Sequence, residues 1–374
     1  MNDKQELSEL LTAKANEFTV HPNPSPVAPQ ERDRIKASPK FGTVFSDHMA
    51  SISWNTDAGW HDRKVIPYGP LTLQPAAAVL HYAQEIFEGL KAYRHDDGSV
   101  WSFRPEANAA RFARSARRLA LPELSELDFL GSLKALVEVD KAWVPQGEES
   151  SLYLRPFMFA SESFLGVRPA QGVDYYVIAS PVGAYFSSGV KPVSIWVAED
   201  YHRAGHGGTG AAKCGGNYAA SLLPQTEAYE NGCDQVCFLD ASTNTYVEEL
   251  GGMNVFFVYA NGNVVTPELS GSILEGVTRS SIIQLLKDTG KNVVERKIAL
   301  SEVKESLENS EIIEIFACGT AAVVTPIGQL KGNSFDLAVA DGQAGELTLQ
   351  IREELTGIQT GHLPDRYNWL TQLA

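Results

Sequence analysis

Cysteine and long apolar runs are both scarce in this sequence. It has four cysteines in 374 residues, and no two of them form Cys-x-x-Cys. That absence excludes a zinc clip or a dithiol switch of the usual spacing. No apolar run approaches the about 18 residues of a membrane-spanning helix. Residues 1–11 are acidic and poor in apolar side chains, unlike a secretory signal peptide. We therefore expect a cytoplasmic protein with free thiols.

Positive charge is also in deficit. Asp and Glu number 46 against 31 Lys and Arg, so the formal net charge is -15 at pH 7. Such a chain is not expected to bind nucleic acid or an anionic membrane surface non-specifically. Small anionic molecules remain possible partners, because they need only a local basic pocket. The length and the 44% hydrophobic content suffice for a sizeable core and suggest two domains.

The order of predicted elements indicates an α+β fold, because strands and helices are mixed without strict βαβ alternation. Residues 1–40 are polar and proline-rich and are expected to form a weakly structured N-terminal arm. A first domain is predicted over 41–180 and a second over 193–374. Between them, 181–192 is rich in Pro, Gly and Ser and is the candidate interdomain linker.

A basic helix is predicted over 105–119, opened by proline. Arg111, Arg114 and Arg118 recur at helical spacing, so one face is cationic. Most of these charges should be solvated, but one that points inward can hold a phosphate with its forked donors. Further helices are predicted over 128–143 and 278–289.

A single lysine, Lys213, lies between two glycine clusters, which are at Gly207–Gly210 and Gly215–Gly216. Glycine permits positive φ and close approach of the backbone to a ligand. An amine held there can lose its charge by desolvation and become a nucleophile. We interpret Lys213 as the residue that forms a Schiff base with a carbonyl cofactor, pyridoxal phosphate being the commonest. The alternative is a mobile surface loop. Pro224 lies in the helix predicted after Tyr218 and should kink or split it.

Two stretches are suited to a phosphate. Gly276–Arg279 directly precedes an apolar helix, whose free N–H groups and positive dipole end attract anions. Gly319–Ala322 follows an apolar strand, and its adjacent amides can form an anion nest. The alternatives are a plain helix start with Thr278 as N-cap and a close-packed turn.

Two carboxylates, Glu248 and Glu249, stand beside a glycine pair. A buried carboxylate next to a pyridine nitrogen keeps that nitrogen protonated, which makes the ring an electron sink. Successive strand residues face opposite ways, so only one of the two can point at a ring. A solvated strand end is the alternative. His202 and His206 have the spacing of a zinc pair, but the glycines around them argue against a helix, and no metal site is predicted.

Taken together, these stretches resemble the branched-chain amino-acid aminotransferases, fold-type IV pyridoxal-phosphate enzymes. The resemblance runs from about Phe41 to the end of the sequence. Its motifs are Phe87–Arg94, Lys213–Tyr218, Glu249–Asn254, Gly276–Arg279 and Gly319–Ala321. It implies a smaller N-terminal α/β domain, a larger C-terminal domain with a mixed sheet or pseudo-barrel, and a homodimer.

The resemblance also implies roles around pyridoxal 5'-phosphate. Lys213 is the catalytic residue, which binds the cofactor covalently and then shuttles the proton. Tyr218 hydrogen-bonds the ring hydroxyl oxygen, and Glu249 pairs with the pyridine nitrogen. The phosphate is held by Arg111, the amides of Val277 and Thr278, and the Thr320 hydroxyl.

The implied substrate site begins at the amides of Thr320 and Ala321, which are placed for the α-carboxylate. The side-chain pocket is implied to be formed by Phe41, Tyr82, Phe87 and Tyr153, with Arg155 beside them and with Leu165 and Val167 on a loop from the partner subunit. Burying a branched aliphatic side chain in an aromatic pocket gains about 1.5–3 kcal/mol. Glutamate must enter the same pocket with a charge, which Arg155 or the Tyr153 hydroxyl can meet.

The implied reaction is transamination between Leu, Ile or Val and 2-oxoglutarate, giving branched-chain 2-oxo acids and glutamate. It would be the last step of branched-chain amino-acid biosynthesis or the first of degradation. A D-amino-acid aminotransferase and an aminodeoxychorismate lyase share the fold type, and a cofactor-free binding protein is the non-enzymatic alternative. Two departures from the family pattern are present. Ala322 and Thr325 stand where some members have Cys-x-x-Cys, and Gly252 stands where some have threonine.

Overall fold

The computed structural model of the chain describes residues 2–147, 149–183 and 190–374. It divides into two compact units, formed by Met1–Tyr185 with Thr356–Ala374 and by Phe186–Leu355. Each unit contains helices and a mixed β-sheet, which confirms the α+β class. None of the helices within the described residues has the length and apolar content that crossing a bilayer requires.

The domain boundaries expected from the sequence differ from these units. Residues 356–374 were expected in the region 193–374, but they belong to the first unit. With that stretch and the N-terminal arm included, the first unit, expected to be the smaller, has more residues than the second. The predicted linker over 181–192 includes 184–189, which lie outside the described residues.

The elements alternate irregularly along the chain. Those before residue 186 are α1 Asn2–Ala15, β1 Thr19–Val20, α2 Pro29–Ala37, β2 His48–Asn55, β3 Gly59–Pro67, α3 Ala78–Tyr82, β4 Glu85–Phe87, β5 Leu90–Arg94, β6 Val100–Phe103, α4 Pro105–Arg118, α5 Glu126–Val139, β7 Ser151–Ala160 and β8 Gly172–Val182. Those after it are β9 Val193–Ala198, α6 Gly215–Glu230, β10 Gln235–Leu239, β11 Val247–Leu250, β12 Asn254–Tyr259, β13 Asn263–Thr266, α7 Val277–Asp288, β14 Asn292–Glu295, α8 Leu300–Glu308, β15 Ile312–Gly319, β16 Val323–Gly332, β17 Phe335–Ala338, α9 Glu346–Thr360 and β18 Leu370–Gln372.

The sheet of the first unit has the strand order β1-β3-β2-β8-β7-β5-β6-β18, with β4 beside β7. Its two long strands, β7 and β8, are antiparallel and alternate between buried and partly exposed residues, as the two-residue period of a strand requires. Tyr175 is fully buried, whereas Tyr176 stacks on Phe157 and Phe159 with ring centroids 5.6 and 6.0 Å away. The residues of β18 complete this sheet by pairing with β6.

Helix α4 shows why its arginines differ. Its buried positions are spaced by three and four residues, which places one stripe against the unit's core. Arg111 falls on this stripe and is buried, while Arg114 and Arg118 are not among the buried residues. The sequence therefore anticipated a cationic helix with one inward-pointing arginine.

The N-terminal arm is more ordered than expected. Residues 1–40 include α1 and α2, and Leu11 and Phe18 are buried. Helix α1 can approach α5 closely because position 131 is glycine; a Cβ there would come within 2.4 Å of the Lys14 side chain. The overall polarity of the arm concealed the few apolar residues that anchor it.

Several predicted helices have different bounds. The helix expected over 128–143 is α5, Glu126–Val139, followed by a separate 3-10 turn at Lys141–Trp143. The helix expected over 278–289 is α7, which has Gly276 as N-cap, so Thr278 is not the cap. Helix α6 continues through Pro224 as one element, so proline does not split it.

The sheet of the second unit has the order β11-β10-β9-β16-β15-β12-β13-β14, with β17 beside β16. Strand β9 lies parallel to both of its neighbours, β10 and β16. One buried cluster, which includes Val197, Phe257 and Ile315, packs with Val303 and Leu307 of α8. A smaller cluster around Ala228 of α6 and Phe238 of β10 lies apart from it.

The loop between β9 and α6 carries Lys213, and hydrogen bonds inside it define its shape. The Asn217 amide donates to the carbonyls of Thr209 and Ala212, each at 2.8 Å. Gly210 allows this loop to lie against residues 271–272, since a Cβ there would stand 2.0 Å from the Ser272 carbonyl oxygen. The glycines are therefore required by backbone contact as well as by the positive φ of Gly207, 73°.

Leu373 should stabilise the first unit more than its neighbour does. Its side chain is fully buried, and its amide donates to the Val100 carbonyl at 2.8 Å. We expect Leu373→Ala to lower the free energy of unfolding by about 2–5 kcal/mol, because a buried Leu is lost with partial relaxation of the cavity. Gln372→Ala, at an exposed position, should change it by less than about 0.5 kcal/mol. Urea denaturation measures the free energy of unfolding of both variants, and equal losses would contradict the burial of the Leu373 side chain.

Gly210→Ala tests the close contact with Ser272. The added methyl group must displace backbone atoms, so we expect a loss of about 1–3 kcal/mol in the free energy of unfolding. Gly216→Ala is the matched control, because a Cβ at Gly216 meets no atom within 4 Å. That control lies in the first turn of α6 and should be neutral or stabilising by up to about 1 kcal/mol. If both variants unfold at the same urea concentration, the contact does not constrain the loop.

Candidate active site

Lys213 lies two residues before α6 and contacts a tyrosine of that helix. Its Nζ donates to the Tyr218 hydroxyl at 2.7 Å, and it stands 5.1 Å from the centroid of the Tyr218 ring. Both side chains are half-buried. The five-residue separation places Tyr218 on the first turn of the helix, facing back toward the loop. The amine is therefore held by a hydroxyl partner, as a nucleophilic or proton-transferring lysine requires.

The two adjacent glutamates of β11 have different partners. Glu248 accepts hydrogen bonds from the hydroxyls of Ser270 and Ser272. Glu249 is 3% exposed and accepts from the amide of Leu274 at 2.9 Å. Both carboxylates are buried, so neither is the solvated strand end that was the alternative.

A buried arginine lies against Glu249. Arg203 Nη1 stands 2.6 Å from Glu249 Oε1. Burial raises the pKa of the Glu249 carboxyl to about 7, while the Arg203 guanidinium and the Leu274 amide act in the opposite direction. Burial and the contact with a cation therefore act in opposite directions on the protonation of this carboxyl.

The start of α7 is shaped by a glycine. A Cβ at Gly276 would come within 2.1 Å of Asn254 Oδ1, so no side chain fits there. The Asn254 amide in turn donates to the Leu274 carbonyl at 3.0 Å. Val277 and Thr278 are the first two residues of the helix, whose leading N–H groups carry its positive dipole end.

The turn that joins β15 and β16 holds Thr320 and Ala321. It ends at Val323, whose φ is 59°. A β-branched residue in the left-handed region is strained, and such strain persists where the surrounding structure enforces it. Gly319 and Val323 pair across the turn, which places residues 320–322 at its tip.

In the first unit, Arg111 forms a forked ion pair. Its Nε and Nη2 contact the two oxygens of Glu88 at 2.7 and 2.8 Å. Glu88 is fully buried and also accepts from the Asn108 amide at 2.8 Å. The pair therefore holds the inward-pointing arginine of α4 in one orientation.

Aromatic rings surround another arginine of the first unit. The Arg155 guanidinium lies 4.8 Å from the Phe87 ring centroid, and its Nη2 donates to the Tyr153 hydroxyl at 3.0 Å. Phe41 meets the Tyr153 ring edge-on at 5.1 Å. Four of the residues predicted for the side-chain pocket therefore lie together.

The remaining predicted pocket residues lie on an exposed part of the first unit. The Tyr82 hydroxyl donates to the Leu165 carbonyl at 2.5 Å. Leu165 is 64% exposed and Val167 is 87% exposed. These two apolar side chains are presented to the surroundings of the unit.

Sequence reasoning assigned no role to Glu88 or Arg203. Glu88 was part of a motif only, although a lone acid within the otherwise uncharged stretch Ile86–Leu90 was a usable signal. Arg203 follows His202, which drew attention as a possible metal ligand. His202 instead contacts the Leu239 carbonyl at 3.3 Å, and no group of three or more His, Cys, Asp or Glu residues suited to a metal occurs within the described residues.

Comparisons with known proteins show the family to which the chain belongs. The model of the amino-transferase class IV family matches residues 85–330. A branched-chain-amino-acid aminotransferase of Mycolicibacterium smegmatis is 56% identical over 96% of this chain and 98% of its own length.

Solved structures show the same fold. The Escherichia coli branched-chain amino acid aminotransferase has a TM-score of 0.72 and 28% identity, covering 87% of this chain and 100% of that one. The T.th. branched-chain amino acid aminotransferase with pyridoxamine 5'-phosphate has a TM-score of 0.72 and 29% identity, covering 87% and 99%. That enzyme has also been solved with N-(5'-phosphopyridoxyl)-L-glutamate and with 4-methylvaleric acid.

The family match spans well over half of the chain, and the curated relative aligns along nearly its whole length. Class IV aminotransferases depend on pyridoxal phosphate, which accords with a lysine in a glycine-bounded loop and a buried carboxylate in the same unit. The chain belongs to the branched-chain-amino-acid aminotransferases of the class IV aminotransferase family.

Proposed function

We propose that this enzyme transfers amino groups between leucine, isoleucine or valine and 2-oxoglutarate at a site organised by Lys213. The observation that carries the proposal is the 2.7 Å contact between Lys213 Nζ and the Tyr218 hydroxyl. The buried carboxylate of Glu249 in the same unit supports it. A surface lysine in a mobile loop would have neither neighbour.

The residues present fit pyridoxal 5'-phosphate. Gly276 packs closely against the Asn254 side chain, and this contact fixes the start of α7, where the leading N–H groups favour an anion. Val277, Thr278 and Thr320 would hold the phosphate there. Arg111 of the first unit, whose guanidinium is oriented by Glu88, remains a predicted ligand of the phosphate. Both contacts of Glu249 described above use Oε1, and we assign its other oxygen to the pyridine nitrogen.

Pyridoxal phosphate, when bound, supplies an aldehyde that accepts the amino group and a ring that withdraws electrons. Lys213 Nζ would take the proton from the α-carbon of the amino acid that gives up its amino group. In the second half-reaction it would donate a proton to the α-carbon of the 2-oxo acid that becomes the new amino acid. Tyr218 would keep the amine oriented through its hydroxyl. The amides of Thr320 and Ala321, at the tip of the β15–β16 turn, would bind the α-carboxylate.

The substrate side chain would be bound by Phe41, Tyr82, Phe87 and Tyr153. Aromatic walls favour branched hydrocarbon by burial. Glutamate needs a cation, and the Arg155 guanidinium is the charged group among these rings. The T.th. enzyme, solved with a phosphopyridoxyl-glutamate and with 4-methylvaleric acid, supports one pocket for both substrate types.

The assembly and location are part of the same proposal. We infer a homodimer in which Leu165 and Val167, which are exposed on their own unit, contribute to the pocket of the partner subunit. The net charge of -15 supports cytoplasmic small-molecule chemistry without nucleic-acid or membrane partners.

Lys213→Ala tests the assignment of the amine. We expect no measurable transamination of leucine, isoleucine, valine or glutamate, and loss of the visible absorption band of the covalently held cofactor, because no other residue replaces the Nζ. Lys287→Ala, at an exposed position of α7, should behave like the wild type. Turnover retained by the Lys213 variant, or wild-type activity toward D-amino acids only, would refute the proposal.

Arg155→Met tests how the pocket accepts glutamate. Removing the cation should lower kcat/KM for glutamate by about tenfold to a hundredfold, the value of a hydrogen bond to a charged group. The same variant should change kcat/KM for leucine by less than about threefold. Arg117→Met serves as control, since Arg117 pairs with Glu123 on the surface. An equal loss for leucine and glutamate would exclude Arg155 as the carboxylate partner.

A further inference from the structure

We propose that Arg203 is a positioning residue that keeps the Glu249 carboxylate ionised, so that the proton shared with the pyridine nitrogen resides on the ring. This inference rests on the proposed role of Glu249. Arg203 itself would touch neither the substrate nor the ring. It would act by setting the charge of the Glu249 carboxylate, which would contact the ring nitrogen.

The placement of Arg203 is unusual for an arginine. It is 4% exposed, and its Nη1 lies within reach of Glu249 Oε1 at 2.6 Å and of the carbonyls of Gly210 and Ser272, each at 3.2 Å. All three contacts thus converge on one nitrogen. Nε and Nη2 are buried and have no hydrogen-bond partner within the part of the chain that the structure describes.

Leaving buried N–H groups unpaired is costly. Each unsatisfied donor loses its hydration without a replacement, at about 1–3 kcal/mol. Buried ion pairs can often be replaced by apolar residues of similar volume without loss of stability. Stability alone therefore explains poorly why an arginine with two unpaired nitrogens stands at this position. What the arginine has and an apolar residue lacks is a positive charge beside Glu249.

The charged and titratable neighbours of Glu249 act in both directions. Burial and the nearby Glu248 raise the pKa of Glu249, while Arg203 and Lys213 lower it. The buried Cys237 thiol also faces Glu249, and burial raises the pKa of that thiol to about 12, so it stays neutral. Among these groups, Arg203 is the cation in direct contact with the carboxylate.

Removing the guanidinium charge should move the proton. With Arg203 present, the carboxylate is the weaker base and the ring nitrogen keeps the proton. Without it, the desolvated carboxyl binds protons more strongly, and the shared proton passes from the ring nitrogen to a Glu249 oxygen. The neutral carboxylic acid would then donate a hydrogen bond to an unprotonated ring nitrogen. A ring with an unprotonated nitrogen withdraws electrons less effectively than a ring with a protonated one.

A purely structural role gives a different expectation. Arg203 also links the lysine loop, through the Gly210 carbonyl, to the segment that includes Ser272. If that link were its whole purpose, its loss would disturb the loop whether or not Glu249 carried a charge. A double-mutant cycle separates the two roles, because a charge effect vanishes when Glu249 is neutral from the start.

The experiment uses holoenzyme loaded with pyridoxal phosphate labelled with 15N in the ring, followed by NMR across pH. In Arg203→Met we expect the ring nitrogen to lose its proton at a pH lower by about one unit or more, a tenfold change in proton affinity. Arg203→Lys should recover most of that shift, because it keeps the charge. In the Glu249→Gln background, Arg203→Met should add no further shift. The cofactor dissociation constant should rise about tenfold in Arg203→Met.

The controls keep each outcome interpretable. Arg296→Met removes an arginine of the half-exposed pair with Glu302 and should leave the 15N signal unchanged. A ring nitrogen that stays protonated in Arg203→Met, or an equal shift in both Glu249 backgrounds, would overturn the inference. A wild-type signal in Glu249→Gln would instead remove the proposed role of Glu249, and with it the basis for Arg203. Urea unfolding shows whether Arg203→Met folds; if it does not, Arg203→Gln, which also lacks the charge but keeps a polar side chain, takes its place with the same expected and contradicting results.

Discussion

A buried carboxylate needs hydrogen-bond donors or cations in place of water, and in the second unit this requirement applies to Glu249. Its partners come from separate stretches of chain: Arg203 precedes the lysine loop, and Leu274 precedes α7. The same arginine reaches the carbonyl of Gly210, inside the loop that ends at Lys213. Compensation of one charge therefore connects the loop that carries Lys213, strand β11 and the segment that precedes α7.

The buried carboxylate of the first unit, Glu88, has a different set of partners. Glu88 is fully buried, but Arg111 meets both of its oxygens and Asn108 adds a third contact. The Arg203–Glu249 pair is incomplete by comparison, with two nitrogens of the arginine unpaired within the described residues. A fully compensated pair favours fixed geometry, whereas a partly compensated one leaves the charge of Glu249 sensitive to what binds beside it.

The sequence predicted the parts of this site whose requirements are local. A glycine-bounded lysine, a small-residue turn and a helix start each need particular residues within a few positions, and Lys213, Thr320 and Thr278 were predicted in that way. The partner of Arg111 lies 23 residues away, between β4 and β5, whose places in the sheet are set by long-range pairing. Arg203 was missed for the same reason, because its acceptor is on β11. Helix α1 was missed because its packing depends on a distant residue, Gly131.

Strand β18 also has a consequence for the order in which the protein matures. It pairs with β6 and belongs to the first unit, although residues 356–374 follow the whole of the second unit along the chain. A ribosome therefore delivers every residue of the second unit before the sheet of the first can be completed. During that interval the β6 edge is unpaired and offers free backbone groups to other nascent chains. In crowded conditions this edge can therefore pair with another chain before β18 is synthesised.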